Sequence, residues 1–378
     1  MNTCLSIGII GTGFIGLQHI EAIRRVPNLR VAAIADSNAD MARAVGERLC
    51  IPKVYTDYKE MLNDPEINAI HNCTPSAFHF PINQEALRAG KHVYCEKPLA
   101  LNAEESGQLA ELAAQYDLAA GVNFNYRHNA MVQQMRQLLL EGQVGRPLLI
   151  TGQYLQDWLM YETDYDWRLD PKMGGRSRAV ADIGSHVFDT AQYILGEKIA
   201  AVYAQLITAH TTRKKLLKPA DGSEPRYEDV PIQSEDAAFI MGRFEGGTPF
   251  SFTLSQVSAG HKNALSISLS GSNALLEWDQ QRPDVLHIGH RSTPNETVYV
   301  DPKFLSPAVR GYATLPAGHP VGWHDAFTNG IKAFYESVCD ESYRSEALRW
   351  ATFAAGHGIM RLVDACLESS QNNRWVEL

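Results

Sequence analysis

Three residues stand out for the chemistry their types and spacing allow. Lys97 lies in Cys95-Glu96-Lys97-Pro98, at the end of a short apolar run. Asp182 precedes His186 by four residues in Asp182-Ile183-Gly184-Ser185-His186, with Asp189 further along. On a helix, residues four apart share a face. A carboxylate there can fix the tautomer of the imidazole and raise its basicity, which suits a general base near neutral pH. A lysine at the C-terminal end of a parallel strand lies where open α/β sheets bind ligands. Its ammonium can stabilise a developing oxyanion. Plainer readings compete: Lys97 as a surface lysine, Asp182 as an N-cap and His186 as a core residue. An Asp and His so spaced are also half of a metal site, but no third ligand motif accompanies them, so no metal is expected.

A second motif concerns phosphate. Gly11-Thr12-Gly13-Phe14-Ile15-Gly16 follows an apolar strand and opens a helix. Gly11 suits the tight turn, Gly13 the approach of backbone to a pyrophosphate, and Gly16 the packing of helix on strand. The helix N-terminus then offers N–H groups to the phosphates. Asp36 ends the next strand, where a carboxylate can accept bonds from ribose hydroxyls, and Ser37 beside it offers no cation for a 2′-phosphate. NAD is therefore the expected cofactor, preferred over NADP. Asp36 as a mere strand end before a turn is the simpler alternative.

These residues need elements to hold them. Over residues 1–125 apolar runs at Leu5 to Ile10, Val31 to Ala35, Ala69 to Cys73, His92 to Cys95 and Leu118 to Val122 alternate with amphipathic stretches near 14–26, 40–49, 77–89 and 104–116. That order is a doubly wound α/β domain with a parallel sheet. Asn102, with Glu105 three residues later, reads as the N-cap of its last helix. Residues 126–378 form an α+β domain: a helix near 129–141, a strand near 147–155 and a helix starting near Ala181. Turn-punctuated alternating strands between 200 and 300 follow, read as hairpins of one open, mostly antiparallel sheet. Helices at about 323–338 and 345–368 close the chain.

Composition limits the partners. The 378 residues carry a formal charge of −9, which disfavours nucleic acid and anionic membrane surfaces. The one basic cluster, Arg213-Lys214-Lys215 with Lys218, runs into Asp221-Gly222-Ser223-Glu224-Pro225 and reads as a solvated loop. Six scattered cysteines without CxxC spacing read as reduced thiols. With neither a leader pattern nor a membrane-length apolar run, a cytoplasmic location is expected.

In the order and separation of the Gly11 to Gly16 turn, Glu96-Lys97-Pro98, and the block from Gly174-Gly175 to His186, the chain resembles the Gfo/Idh/MocA group, named for glucose–fructose oxidoreductase, inositol dehydrogenase and rhizopine catabolism. The resemblance implies a Rossmann domain and a C-terminal sheet that often makes a homodimer or homotetramer. It also implies reversible hydride transfer on sugars, inositols or glycosides, with Lys97, Asp182 and His186 as the catalytic triad. Thr74-Pro75 with His79 resembles the family's loop near the nicotinamide, with Cys73 where an Asn is common; Glu96 belongs to the same cofactor region. Asn125-Tyr126-Arg127 begins the interdomain linker, with Arg127 a substrate candidate. Tyr154-Leu155-Gln156-Asp157-Trp158 resembles a segment of levoglucosan-oxidising members, where Asp157 holds hydroxyls and Trp158 covers a sugar face. A strand end with a core tryptophan is the alternative. Trp167-Arg168 and Trp323-His324-Asp325 have similar standing, with His324 a further substrate candidate. Arg176-Ser177-Arg178 replaces a glycine-rich turn, and both cations are expected to face solvent. A non-catalytic sugar-sensing relative, and a glycosidase that oxidises transiently with tightly held NAD, remain alternatives to a dehydrogenase.

Overall fold

Strands buried on both faces read as unbroken apolar runs, and helices must cover them. In the first sheet these are β1 (Leu5–Ile10), β2 (Leu29–Ala35), β3 (Lys53–Tyr55), β4 (Ala69–Asn72), β5 (His92–Cys95) and β6 (Ala120–Val122). The structure, a computed structural model, describes residues 4–217, 225–340 and 349–378. All pairs in this sheet are parallel, in the order β3-β2-β1-β4-β5-β6. This is the Rossmann order, which reverses between β1 and β4 and opens a crevice at their C-terminal ends. The helices between strands are α1 (Phe14–Arg24), α2 (Ala39–Arg48), α3 (Tyr58–Leu62), α4 (His79–Arg88) and α5 (Ala103–Gln115). Asn102 caps α5 by accepting from the Glu105 N–H at 2.9 Å, and Glu105 reaches back to Leu101 N–H at 3.1 Å. The short β3 and α3 have too little apolar pattern to stand out in the sequence.

Chain contacts divide the protein into two units, one of residues 1–128 with 323–360, the other of 129–322 with 361–378. Residues 323–360, read from sequence as part of the second domain, thus belong with the first sheet. The reason lies in α9 (Trp323–Cys339): Phe327, Ile331, Phe334 and Tyr335 share one buried cluster with Ile7, Ile20 and Tyr94. The final helix, α10 (Phe353–Asn372), starts later than expected; residues 345–348 lie outside the described residues.

In the second unit, α6 (Ala130–Leu140), α7 (Pro171–Gly174) and α8 (Ser185–Leu195) accompany β7 (Pro147–Leu155), β8 (Ile199–Ile207), β9 (Thr212–Leu217), β10 (Arg226–Pro231), β11 (Ala237–Phe244), β12 (Pro249–Ser255), β13 (Ala264–Gly271), β14 (Leu275–Asp279), β15 (Val285–Gly289), β16 (Glu296–Tyr299) and β17 (Val376–Glu377). The large sheet runs β16-β15-β14-β13-β7-β12-β11-β8-β17. Its pairs are antiparallel except β7 with β12, which are parallel. Period-2 alternation puts Ile150, Phe250, Phe252 and Leu254 on the buried face, where Phe252 meets Phe188 of α8 at 6.1 Å between ring centroids. Phe239 and Met241 on the opposite face are exposed.

One expectation is overturned here. Arg213 to Lys215 are in a strand, not a solvated loop: β9 pairs antiparallel with β10. Arg213 is fully buried because its guanidinium binds Asp236 at 2.7 Å and the carbonyls of Leu159 and Tyr161. Lys218 and Asp221 to Glu224 lie outside the described residues. No helix among the described residues is long and apolar enough to cross a membrane.

Candidate active site

The turn after β1 has the shape of a pyrophosphate cradle. Gly11 sits at φ +92°, and a Cβ there would stand 2.8 Å from Cys73 O at the end of β4. A Cβ on Gly16 would meet Gly11 O at 2.1 Å, so α1 can press on the turn only with glycine. Around Gly13 a Cβ would meet nothing within 4 Å, which leaves the backbone open to a ligand. No side chain caps the N-terminus of α1, and exposed Phe14 opens it. Ile15 is partly buried against the core. Thr12 donates to Asp36 Oδ2 through both its N–H (2.8 Å) and its hydroxyl (2.7 Å), while Asn38 N–H donates to Oδ1 at 2.9 Å. A carboxylate has about four acceptor positions, so room for a hydroxyl remains on Oδ1. Ser37 is exposed. These features fit an NAD phosphate and ribose.

Across the crevice, Thr74 is held by Asn72, whose Oδ1 accepts from its hydroxyl at 2.7 Å. Pro75 precedes a short 3₁₀ turn. His79 is buried, with its ring nitrogens 2.6 Å from Pro98 O and 2.8 Å from Thr74 O. It ties the loop after β4 to the turn after β5, and burial draws its pKa below the usual value. Its ring therefore serves the shape of both loops from inside.

Glu96 and partly buried Lys97 follow β5. Glu96 Oε1 takes the Asn123 amide at 2.6 Å and His19 Nε2 at 3.0 Å; Oε2 accepts from the Lys97 backbone N–H at 3.2 Å. Behind it, His19 Nδ1 meets His71 Nδ1 at 2.6 Å, and His71 Nε2 meets the Tyr335 hydroxyl at 2.8 Å. Burial alone raises the Glu96 carboxyl pKa, but the bond and charge of His19, then Asn123 and Lys97, outweigh it and bring it down to about 2. Burial, and then the charge of His19, pushes His71 well below the normal histidine value.

In the second unit, Asp182 lies in a π-helical turn, Val180–Gly184, that runs directly into α8 with His186 in its first turn. Such wide turns recur at functional sites. Asp182 is partly exposed and His186 buried, with the Tyr154 ring 6.2 Å from the imidazole. Asp182 Oδ2 accepts from Gln256 Nε2 at 2.8 Å, and Oδ1 stands 3.7 Å from Arg168 Nε. Glu235 Oε1 accepts from Ser177 Oγ and from the backbone N–H groups of Arg178 and Val180 at 2.7, 2.9 and 2.8 Å, anchoring the start of the turn. Arg176 is exposed as expected, but Arg178 is not. It is buried with its guanidinium on Asp236 and Gln256, because the turn points it into the unit.

The softer candidates fall in different places. Asp157 is occupied by Lys262 Nζ at 2.7 Å and Gly260 N–H at 3.1 Å. Its neighbour Gln156 instead accepts from Trp158 Nε1 at 2.8 Å and donates to Asn263 at 3.0 Å. Arg168 lies 4.4 Å from the Trp167 ring and 5.9 Å from that of Trp158. Asp182, Arg168, Trp158, Gln156 and Gln256 are thus connected in one polar and aromatic group. Arg127 is buried in the 3₁₀ turn Asn125–His128, and His324 is exposed in the first turn of α9, both in the first unit. Gln156 has no role assigned in its sequence segment, and Asn263, Gln256 and Glu235 were not singled out from the sequence. The parallel register of β7 and β12, which pairs Leu155 with Ser255, sets Gln156 and Gln256 side by side, and no local pattern announces it.

A Rossmann sheet with a fitted pyrophosphate turn, joined to a mixed open sheet bearing an Asp–His helical turn, defines a class of two-unit, NAD-binding oxidoreductases. The chain belongs to the Gfo/Idh/MocA oxidoreductase family. Residues 5–124 match the family's NAD-binding Rossmann fold and residues 132–277 its C-terminal domain. Over 99% of its length it is 29% identical to levoglucosan dehydrogenase of Pseudarthrobacter phenanthrenivorans, covering 98% of that protein. It is 31% identical to myo-inositol 2-dehydrogenase of Thermotoga maritima over 64% of this chain and 66% of that one. A structure of levoglucosan dehydrogenase in complex with NADH and levoglucosan superposes with a TM-score of 0.86 at 28% identity, covering 99% of both chains.

The depressed Glu96 pKa gives a stability test. A carboxyl at about 2 when folded and 4.5 in its ordinary state contributes stability above pH 4.5 that fades as pH falls towards 2. The contribution is on the order of 3 kcal/mol. Glu96→Gln has no carboxyl to titrate, so urea midpoints of wild type and variant should converge between pH 6 and pH 3. A constant gap over that range rules out the charged Glu96 network.

Proposed function

We propose that this protein oxidises a secondary hydroxyl of a sugar, inositol or glycoside to a ketone, with NAD preferred over NADP. The observation that carries this reading is the Asp182–His186 turn, set within a group of hydrogen-bonding side chains and two tryptophan rings. Such a mixture suits a sugar ring, whose hydroxyl edge needs polar partners and whose C–H face packs on an aromatic plane. The full-length likeness to levoglucosan dehydrogenase puts anhydrosugars first among substrates to test, with inositols next.

In this reading His186 takes the proton of the substrate hydroxyl, and Asp182 orients the ring and supports its positive charge. Lys97 stabilises the alkoxide as its proton leaves. Trp158 and Gln156 hold the sugar, with Arg127 and His324 as further contacts. NAD, when bound, supplies the hydride acceptor; Gly11 to Gly16, Asp36, Ser37, Thr74, Pro75, Glu96 and Lys97 line its place. Asp36 selects it, because a carboxylate repels a 2′-phosphate and no cation adjoins it in sequence.

Steady release of NADH is expected with at least one member of a panel of anhydrosugars, inositols, free sugars and glycosides. Lys97→Ala and His186→Ala should each lower kcat by roughly a hundredfold or more, the usual scale for an acid–base group, and calorimetric NAD binding should stay near wild type in His186→Ala. Retained turnover in both variants defeats the assignment.

Cofactor choice has its own test. Asp36→Ala should weaken NAD use and relax discrimination against NADP, and unchanged kinetics with both removes Asp36 from the site.

The outer face of the large sheet supports self-association through that surface, with Phe239, Met241 and Tyr299 each at least half exposed. Sedimentation should give a dimer or tetramer, and Phe239→Glu with Met241→Glu should shift it to smaller species. A monomeric wild type excludes this arrangement.

A further inference from the structure

We propose that Gln256 and Arg178 are positioning residues for Asp182: a buried guanidinium fixes the direction of the Gln256 amide, and the amide holds the carboxylate beside His186. This rests on the reading of Asp182 and His186 given above, but its geometry stands within the second unit alone.

Gln256 is fully buried at the end of β12. Its amide lies between groups of opposite charge, with Oε1 accepting from Arg178 Nη1 at 2.8 Å and Nε2 donating to Asp182 Oδ2 at 2.8 Å. An amide has one accepting and one donating end. Reversed, it sets its NH₂ against the guanidinium and its carbonyl against the carboxylate, so a single orientation is left.

Arg178 cannot swing away to relax that choice. Its other terminal nitrogen binds Asp236, which also accepts from Arg213 Nη2 at 2.7 Å and from the backbone N–H groups of Ala209 and His210 at 2.7 and 3.0 Å. Direction therefore passes from a saturated buried carboxylate, through Arg178 and Gln256, to Oδ2 of Asp182.

The choice of a neutral donor matters chemically. Arg168 on the preceding loop also approaches this carboxylate, its Nε 3.7 Å from Oδ1, and His186 follows four residues on along the helix. A second cation in place of Gln256 would draw the carboxylate's charge away from the imidazole it must support. An amide orients the oxygen and stabilises its ionised form while adding no net charge.

The test reads Asp182 directly, in the full-length protein without substrate. Aspartate side-chain carboxyls carry ¹³C, and the Asp182 signal is assigned by its loss in Asp182→Asn. Removing a donor from an ionised oxygen disfavours the ionised form, so Gln256→Leu should raise the titration midpoint of Asp182 by about one pH unit or more. Gln256→Glu keeps the pairing with Arg178 but turns a second carboxylate on Asp182, and should raise it further. If the leucine variant does not fold, the isosteric glutamate carries the test.

On any substrate the wild type oxidises, kcat should fall roughly tenfold in Gln256→Leu with KM little changed. In the Asp182→Asn background Gln256→Leu should cost nothing more. A midpoint unmoved in the folded variants overturns the proposal. Failure of the wild type to oxidise any polyol counts instead against the proposed function and leaves the titration readable.

Discussion

The second unit is organised around one buried carboxylate. Asp236 takes two guanidiniums, Arg178 and Arg213, and two backbone N–H groups, all out of water. Removing an ion from water costs several kcal/mol, and only near-complete pairing offsets that cost. The protein meets the requirement by bringing together segments distant in sequence. Arg178 leads into the turn bearing Asp182, Arg213 comes from β9, and the rest of the Arg213 guanidinium binds the carbonyls of Leu159, Tyr161 and Asp164 in the loop after Trp158. The two sides of the candidate site thus hang on the same charge. An apolar cluster of equal volume could pack as well, but it would carry no directional bond between these segments.

The first unit solves a similar problem by similar means. Lys97 follows a glutamate whose charge is kept by His19 and Asn123 and whose far oxygen binds the Lys97 backbone N–H. From His19 the contacts run on inward, His19 Nδ1 to His71 Nδ1 and His71 Nε2 to the Tyr335 hydroxyl. Tyr335 arrives on α9, some 240 residues after β5 in the chain. That is a physical reason for α9 to pack on the Rossmann sheet beyond its apolar face: it supplies the last partner of a buried polar chain.

What the sequence disclosed was what local spacing can encode. The glycine turn, the Asp36 strand end, the Asn102 cap and the Asp182–His186 pair all lie within one turn or one strand–helix unit, and periodicity found most strands and helices to within a few residues. Arg178 and Arg213 were opaque because a buried arginine has no signature of its own. The partner that makes burial tolerable, Asp236, lies 58 and 23 residues away. Gln256 was hidden for a related reason: its place beside Gln156 follows from a parallel pairing inside a sheet whose other strands read as hairpins. β3, three residues long, carried too little pattern to register.

These blind spots share a cause. Apolar burial is non-directional, so a sequence pattern can say which face is inside without saying what meets there. Hydrogen bonds and buried charges have direction, and their partners are chosen by tertiary register. At this site the groups read from the sequence, Asp182 and His186, lie four residues apart in one helical turn. Gln256, Arg178, Asp236 and Glu235, which bond to that turn or to one another, became visible only once the β7–β12 pairing and the β9–β10 hairpin had brought distant segments together. Reactive side chains can be inferred from their own neighbours in the chain, whereas the structure that aims them belongs to the fold.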